Sequence, residues 1–121
     1  MTRQKKILLI DDNADHLLVC KLIFERYGYD VLILLGCAEL IEAVEVFRPD
    51  LIFMDHDMPG ICGPEAIQML RSNPSSSSIP IIYFSAESDL EMLARKAGAN
   101  AWLKKPADIG QMLKLTDQFC S

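Results

Sequence analysis

The stretch Leu51-Ile52-Phe53-Met54-Asp55-His56-Asp57-Met58-Pro59-Gly60 changes character in its middle. Four consecutive apolar side chains run into two acids flanking a histidine, and Pro59-Gly60 then turns the chain. An apolar run this short, bounded by Asp, Pro and Gly, reads as a strand buried on both faces. The same pattern recurs at Ile7–Ile10 before Asp11-Asp12, at Val31–Leu35 before Gly36, and at Ile79–Phe84 before Ser85-Ala86. A shorter copy, Ala101–Leu103, precedes Lys104-Lys105-Pro106.

Segments with helical spacing lie between these runs. In Ala14–Tyr27 the spacing places Val19, Cys20, Ile23, Phe24 and Tyr27 on one face, and Gly28 follows as a stop. Ala38–Phe47 repeats the pattern with Leu40, Ile41, Val44 and Phe47, and Pro49 ends it. Pro64–Arg71 opens with proline at a helix start. Glu87–Ala97 stops at Gly98, and Asp108–Phe119 forms a last helix with Asp108 as its N-cap. Strand then helix, five times over, predicts the α/β class: a single doubly wound, five-stranded parallel sheet with five helices on its two faces. Residues 1–121 read as one domain with no repeat, and Pro74–Ser78 reads as a surface loop.

Net charge is −5 and no basic run exceeds two residues, Lys104-Lys105 among them. Nucleic acid is therefore not expected as a partner, since phosphate binding needs clustered Lys and Arg. No apolar stretch approaches the roughly 20 residues of a membrane span, and MTRQKKILLIDD lacks the apolar core of a signal peptide. A cytoplasmic location is the expectation, with no membrane contact. Cys20, Cys37, Cys62 and Cys120 contain no C-x-x-C pair, so the reading is four free thiols in a reducing compartment.

Ligands of open parallel sheets bind beyond the carboxyl ends of the strands. There the sequence places Asp11-Asp12, then Asp55 with Asp57, then Ser85, then Lys105. Crowded carboxylates repel. A hard divalent cation relieves that, and Mg²⁺ takes oxygen ligands. Lys105 adds a compact positive charge. A carboxylate beside a metal and an ammonium suits in-line phosphoryl transfer, giving an acyl phosphate.

Across its whole length the chain resembles the receiver domain of response regulators. The motifs are Asp11-Asp12 after ILLI, Asp55 in LIFMDHDMPG, Ser85-Ala86 after PIIYF, Lys105-Pro106, the loop residues Pro59, Gly60 and Gly63, and Gly98-Ala99 before the fifth strand. Each is weak alone, and together in order they are strong. The resemblance implies a flavodoxin-like strand order 2-1-3-4-5 and phosphorylation on Asp55. It implies Mg²⁺ held by Asp12 and Asp55, by Asp11 directly or through water, and by the Asp57 carbonyl. Lys105 and Ser85 would contact the phosphoryl oxygens, Ser85 and Trp102 would form the switch, and the Lys105–Pro106 peptide would be cis. The implied phosphodonor is a histidine kinase or histidine phosphotransfer protein, docked on the first helix where Leu17 and Leu18 form a small apolar patch. Whether phosphorylation drives a homodimer through the fourth helix, fifth strand and last helix is left open by the sequence.

The chain departs from the family's pattern at Trp102, larger than the usual ring, and at Ala107, where an aromatic often stands. By the resemblance, Asp57 and Glu87 would stand at positions that influence attacking water. His16, His56 and Lys104 read as solvated groups. The expectation is a signalling phosphoacceptor that assists its own phosphorylation and dephosphorylation, not an enzyme. An aspartate-nucleophile phosphatase with D-x-D, and a degenerate docking receiver, are the alternatives. A flavin-binding reading lacks a phosphate-cradling loop after the first strand.

Overall fold

A parallel strand buried on both faces must send alternate side chains into two separate cores. The computed structural model of the chain, which describes residues 4–56, 63–105 and 108–120, has that arrangement. Five strands, β1 (Lys6–Ile10), β2 (Asp30–Leu34), β3 (Leu51–Asp55), β4 (Ile81–Ser85) and β5 (Ala101–Lys104), alternate with α1 (Ala14–Arg26), α2 (Leu40–Phe47), α3 (Pro64–Ser72), α4 (Leu90–Ala97) and α5 (Ile109–Cys120). The sheet order is β2-β1-β3-β4-β5 and every pair is parallel. Class, topology and strand order are those expected.

Leu8 and Ile10 of β1, Ile52 and Met54 of β3, and Ile81 and Tyr83 of β4 pack with residues of α2, α3 and α4. Their neighbours Ile7, Leu9, Leu51, Phe53, Ile82 and Phe84 pack with α1 and α5. Every side chain of β3 and β4 is buried, as central strands require. Among the described residues, no helix is long and apolar enough to cross a membrane.

Two details differ from the sequence expectations. In α1 the buried residues are Leu17, Cys20 and Phe24, while Val19 and Tyr27 are exposed. The apolar residues of this helix surround most of its circumference, so periodicity alone left its inward face open. Leu17 is only 2% exposed and cannot form a docking patch with Leu18, which is 51% exposed. The exposed large apolar residues of α1 are Leu18, Val19 and Leu22. Second, α2 begins at Leu40 rather than Ala38, and α4 at Leu90 rather than Glu87. Before α4, the Glu87 N–H donates to the Ser85 hydroxyl at 3.1 Å. That local turn holds the chain out of helix until Asp89, the N-cap residue of α4.

Candidate functional site

The order β2-β1-β3 places a topological switch point between β1 and β3, where open sheets leave a crevice. Asp11 and Asp12 follow β1, and Asp55 ends β3. One carboxylate oxygen from each of Asp11, Asp12 and Asp55 lies within 4.8 Å of the others. Asp55 and Asp11 are buried, at 1% and 2% exposure, whereas Asp12 faces solvent.

Lys105 follows β5, and its backbone N–H donates to the Ser85 carbonyl at 2.9 Å. That bond carries its side chain over the crevice. Nζ lies 2.9 Å from Asp55 Oδ2 and 3.9 Å from Asp11 Oδ2, and 4.9 Å from the centroid of the Phe84 ring. Two like charges about 4 Å apart repel by about 4 kcal/mol at the effective dielectric of such sites. One ammonium cannot balance three carboxylates, so the cup retains an excess of negative charge. An all-oxygen donor set with that excess matches a hard divalent ion better than a thiolate- or imidazole-loving one. The residues present therefore fit Mg²⁺.

Ser85 is fully buried at the end of β4, in register with Lys104 of β5. His56 N–H donates to the Phe84 carbonyl at 2.9 Å, which ties the start of the loop after Asp55 to β4. Trp102 on β5 is half-buried, with the Arg95 guanidinium 4.9 Å from its ring centroid. Lys104 and Glu87 are exposed. Asp57, Pro59, Gly60, the Lys105–Pro106 peptide and Ala107 lie outside the described residues.

Three further groups adjoin the site, two of them histidines read as solvated from the sequence. His16, read as solvated, is half-buried with Nδ1 2.8 Å from Asp11 Oδ2. His56, also read as solvated, is half-buried and hydrogen-bonds through Nδ1 to the Tyr83 hydroxyl. Phe84 lies under both His16 and Lys105. The signal for His16 was its i+5 spacing from Asp11 across a helix start, which is legible only once the cap is known. Among the cysteines, Cys20 and Cys120 are free and buried, and burial pushes both thiols up to about 11. Cys37, expected as a free thiol, is disulfide-bonded, and its partner lies outside the described residues.

A doubly wound sheet with an acidic cup and an opposed lysine defines a class of α/β modules whose charged site could hold a cation at the carboxyl edge. Comparison narrows it. The response regulator receiver domain model matches residues 7–117, and the chain belongs to that family, whose members serve two-component signalling. Over 108 residues it is 31% identical to the CAI-1 autoinducer sensor kinase/phosphatase CqsS of Vibrio cholerae, covering 87% of this chain and 16% of that protein. The chain spans between 16% and 46% of the length of the curated relatives first matched. Chemotaxis protein CheY4 of Vibrio cholerae superposes with a TM-score of 0.88 at 24% identity, over 97% of this chain and 99% of the other. The receiver domain of sensor histidine kinase PA1611 from Pseudomonas aeruginosa, crystallised with a magnesium ion in its active-site cleft, has a TM-score of 0.86 at 25% identity. It covers 97% of this chain and 98% of that one.

Proposed function

We propose that this domain accepts a phosphoryl group on Asp55 from a phosphohistidine, with Mg²⁺ in the acidic cup, and so alters the face it offers to partners. The observation that carries the reading is a buried carboxylate, Asp55, paired at 2.9 Å with Lys105 inside a cluster of three acids. A magnesium ion in the corresponding cleft of a relative supports it.

Asp11, Asp12 and Asp55 would hold the ion, with the Asp57 carbonyl as a further ligand implied by the family. Bound there, it would neutralise charge on the transferring oxygens. The chain's own groups do the rest. One Asp55 oxygen attacks phosphorus, the donor's N–P bond breaks, and the histidine nitrogen leaves with the bonding pair. Lys105, held over Phe84, moves its charge from the Asp55 carboxylate to the new phosphoryl oxygens. Ser85, at the end of β4, donates its hydroxyl to one of those oxygens, and Trp102 on β5 follows that movement. The donor is a histidine kinase or histidine phosphotransfer protein in the cytoplasm. The domain assists its own phosphorylation and dephosphorylation and turns over no separate substrate.

Incubation with Mg²⁺ and acetyl phosphate, followed by intact mass measurement, tests this. One added phosphoryl group is expected, lost with chelator and lost in Asp55→Asn. Turnover of a generic phosphate ester without stable labelling would instead favour an aspartate-nucleophile phosphatase.

A further inference from the structure

Asp11 is gripped on both oxygens by the chain itself. Oδ1 accepts the Asn13 N–H at 3.1 Å, and Oδ2 lies 2.8 Å from His16 Nδ1. Asn13 also caps α1, taking the His16 N–H at 3.0 Å, so the helix start and the acid are built as one unit. An ionised carboxylate only accepts, so the proton of this contact sits on Nδ1. The other ring nitrogen, Nε2, lies 3.6 Å from Cys20 Sγ, one helical turn on. The Cys20 thiol is buried, and that burial, with the nearby Asp11 charge, pushes it up to about 11. At neutral pH it keeps its proton, so beside a neutral ring it donates and Nε2 is the acceptor. The ring also leans on Phe84, with centroids 5.8 Å apart and planes at 51°. The aromatic side chain that supports Lys105 thus supports His16.

We propose that His16 is a positioning residue. A thiol–imidazole–carboxylate chain, Cys20 Sγ–H to Nε2 and Nδ1–H to Asp11 Oδ2, locks its tautomer and fixes the inner acid of the cation cup. This chain is the cup's counterpart of the outer hydrogen bonds that orient ligands in metal sites, whose loss typically weakens metal binding by 10–100-fold. The functional half of the inference rests on the cup being the Mg²⁺ site; the tautomer half does not.

Long-range ¹H–¹⁵N correlation spectra of the metal-free native protein test the tautomer. Wherever the ring is neutral, its proton is expected on Nδ1, the opposite of the form a free histidine side chain favours, and Cys20→Ala is expected to let the two forms mix. A ring protonated on Nε2, or averaging freely in the native protein, overturns the proposal. Magnesium titrations followed by amide shifts test the consequence. His16→Leu is expected to weaken Mg²⁺ by at least about 10-fold. His16→Asn, whose amide nitrogen replaces Nδ1, is expected to restore most of the affinity. Unchanged affinity in a folded His16→Leu overturns the positioning role. Equal loss in both variants also overturns it, because bulk rather than the donor would then be at work. If His16→Leu fails to fold, the native tautomer and His16→Asn decide alone. If the native protein shows the Nδ1 tautomer but binds no Mg²⁺, the reading of the cup fails and the hydrogen-bonded chain stands.

Discussion

At Gly63 the backbone takes φ 64° and ψ −130°, a conformation that side chains other than glycine's occupy only under strain. A Cβ there would lie 2.8 Å from the Tyr83 hydroxyl oxygen, which itself bonds to His56 beside Asp55. Tyr83 is fully buried, so its ring has little room to retreat. Backbone strain of roughly 1–3 kcal/mol adds to overpacking of similar size. Gly63→Ala is therefore expected to lower unfolding stability by about 2–6 kcal/mol, measured by urea denaturation. Tyr83→Phe removes the clashing atom, so the double variant should be less destabilised than the sum of the two singles. Strict additivity would show that the tyrosine hydroxyl is not what keeps this position glycine.

At the scale of the elements, α1 joins the core to the surface with unusual economy. Leu17 is buried, while its neighbour Leu18 is 51% exposed and Leu22 59% exposed. Leu17→Ala is expected to cost about 2–5 kcal/mol in thermal or urea unfolding, as buried leucine truncations do. Leu18→Glu should change stability by no more than about 0.5 kcal/mol. It should nonetheless slow transfer from a phosphohistidine donor while sparing labelling by acetyl phosphate. Equal slowing of both reactions would remove α1 from donor docking. The contrast also shows what sequence could carry. All five strands were legible as short apolar runs, although only β3 and β4 bury every side chain and the edge strands β2 and β5 are partly open. The acids, Ser85 and Lys105 were legible because each sits at the end of such a run. The inward face of α1 was not, because Leu17, Leu18, Val19, Cys20, Leu22, Ile23 and Phe24 offer two overlapping stripes. The starts of α2 and α4 were missed for another reason. Turns such as the Ser85–Glu87 contact are settled by single hydrogen bonds that leave no periodicity. His16 was hidden too, since its role depends on where an N-cap directs the first turn.

For the molecule as a whole, the sheet divides two kinds of linkage. On the α1–α5 face, Cys20 and Cys120 have thiols pushed up to about 11 from the usual 9. The folded state holds these protons more tightly than the unfolded chain. Their contribution is therefore intact below about pH 9 and is lost as pH rises towards 11, by up to about 1.4 kcal/mol per pH unit for each thiol. Cys20→Ala should flatten the fall in stability between those limits relative to the native protein, whatever its offset at pH 7; parallel curves would count against it. At the carboxyl edge the sign reverses, since there a ligand relieves charge instead of a proton. An ion that binds only the folded cup stabilises it by RT ln(1 + [Mg²⁺]/Kd), about 1.4 kcal/mol at ten times Kd. For a domain of this size that is a rise of about 4–6 °C in Tm. Asp12 is the exposed member of the cup and touches little else, so its removal should leave the metal-free Tm nearly unchanged. In Asp12→Ala the rise with Mg²⁺ should shrink to a small fraction of the native one, as scanning calorimetry at matched ionic strength would show. An equal rise in both proteins would mean that the ion stabilises through general screening, and the three carboxylates would lose their claim to hold it.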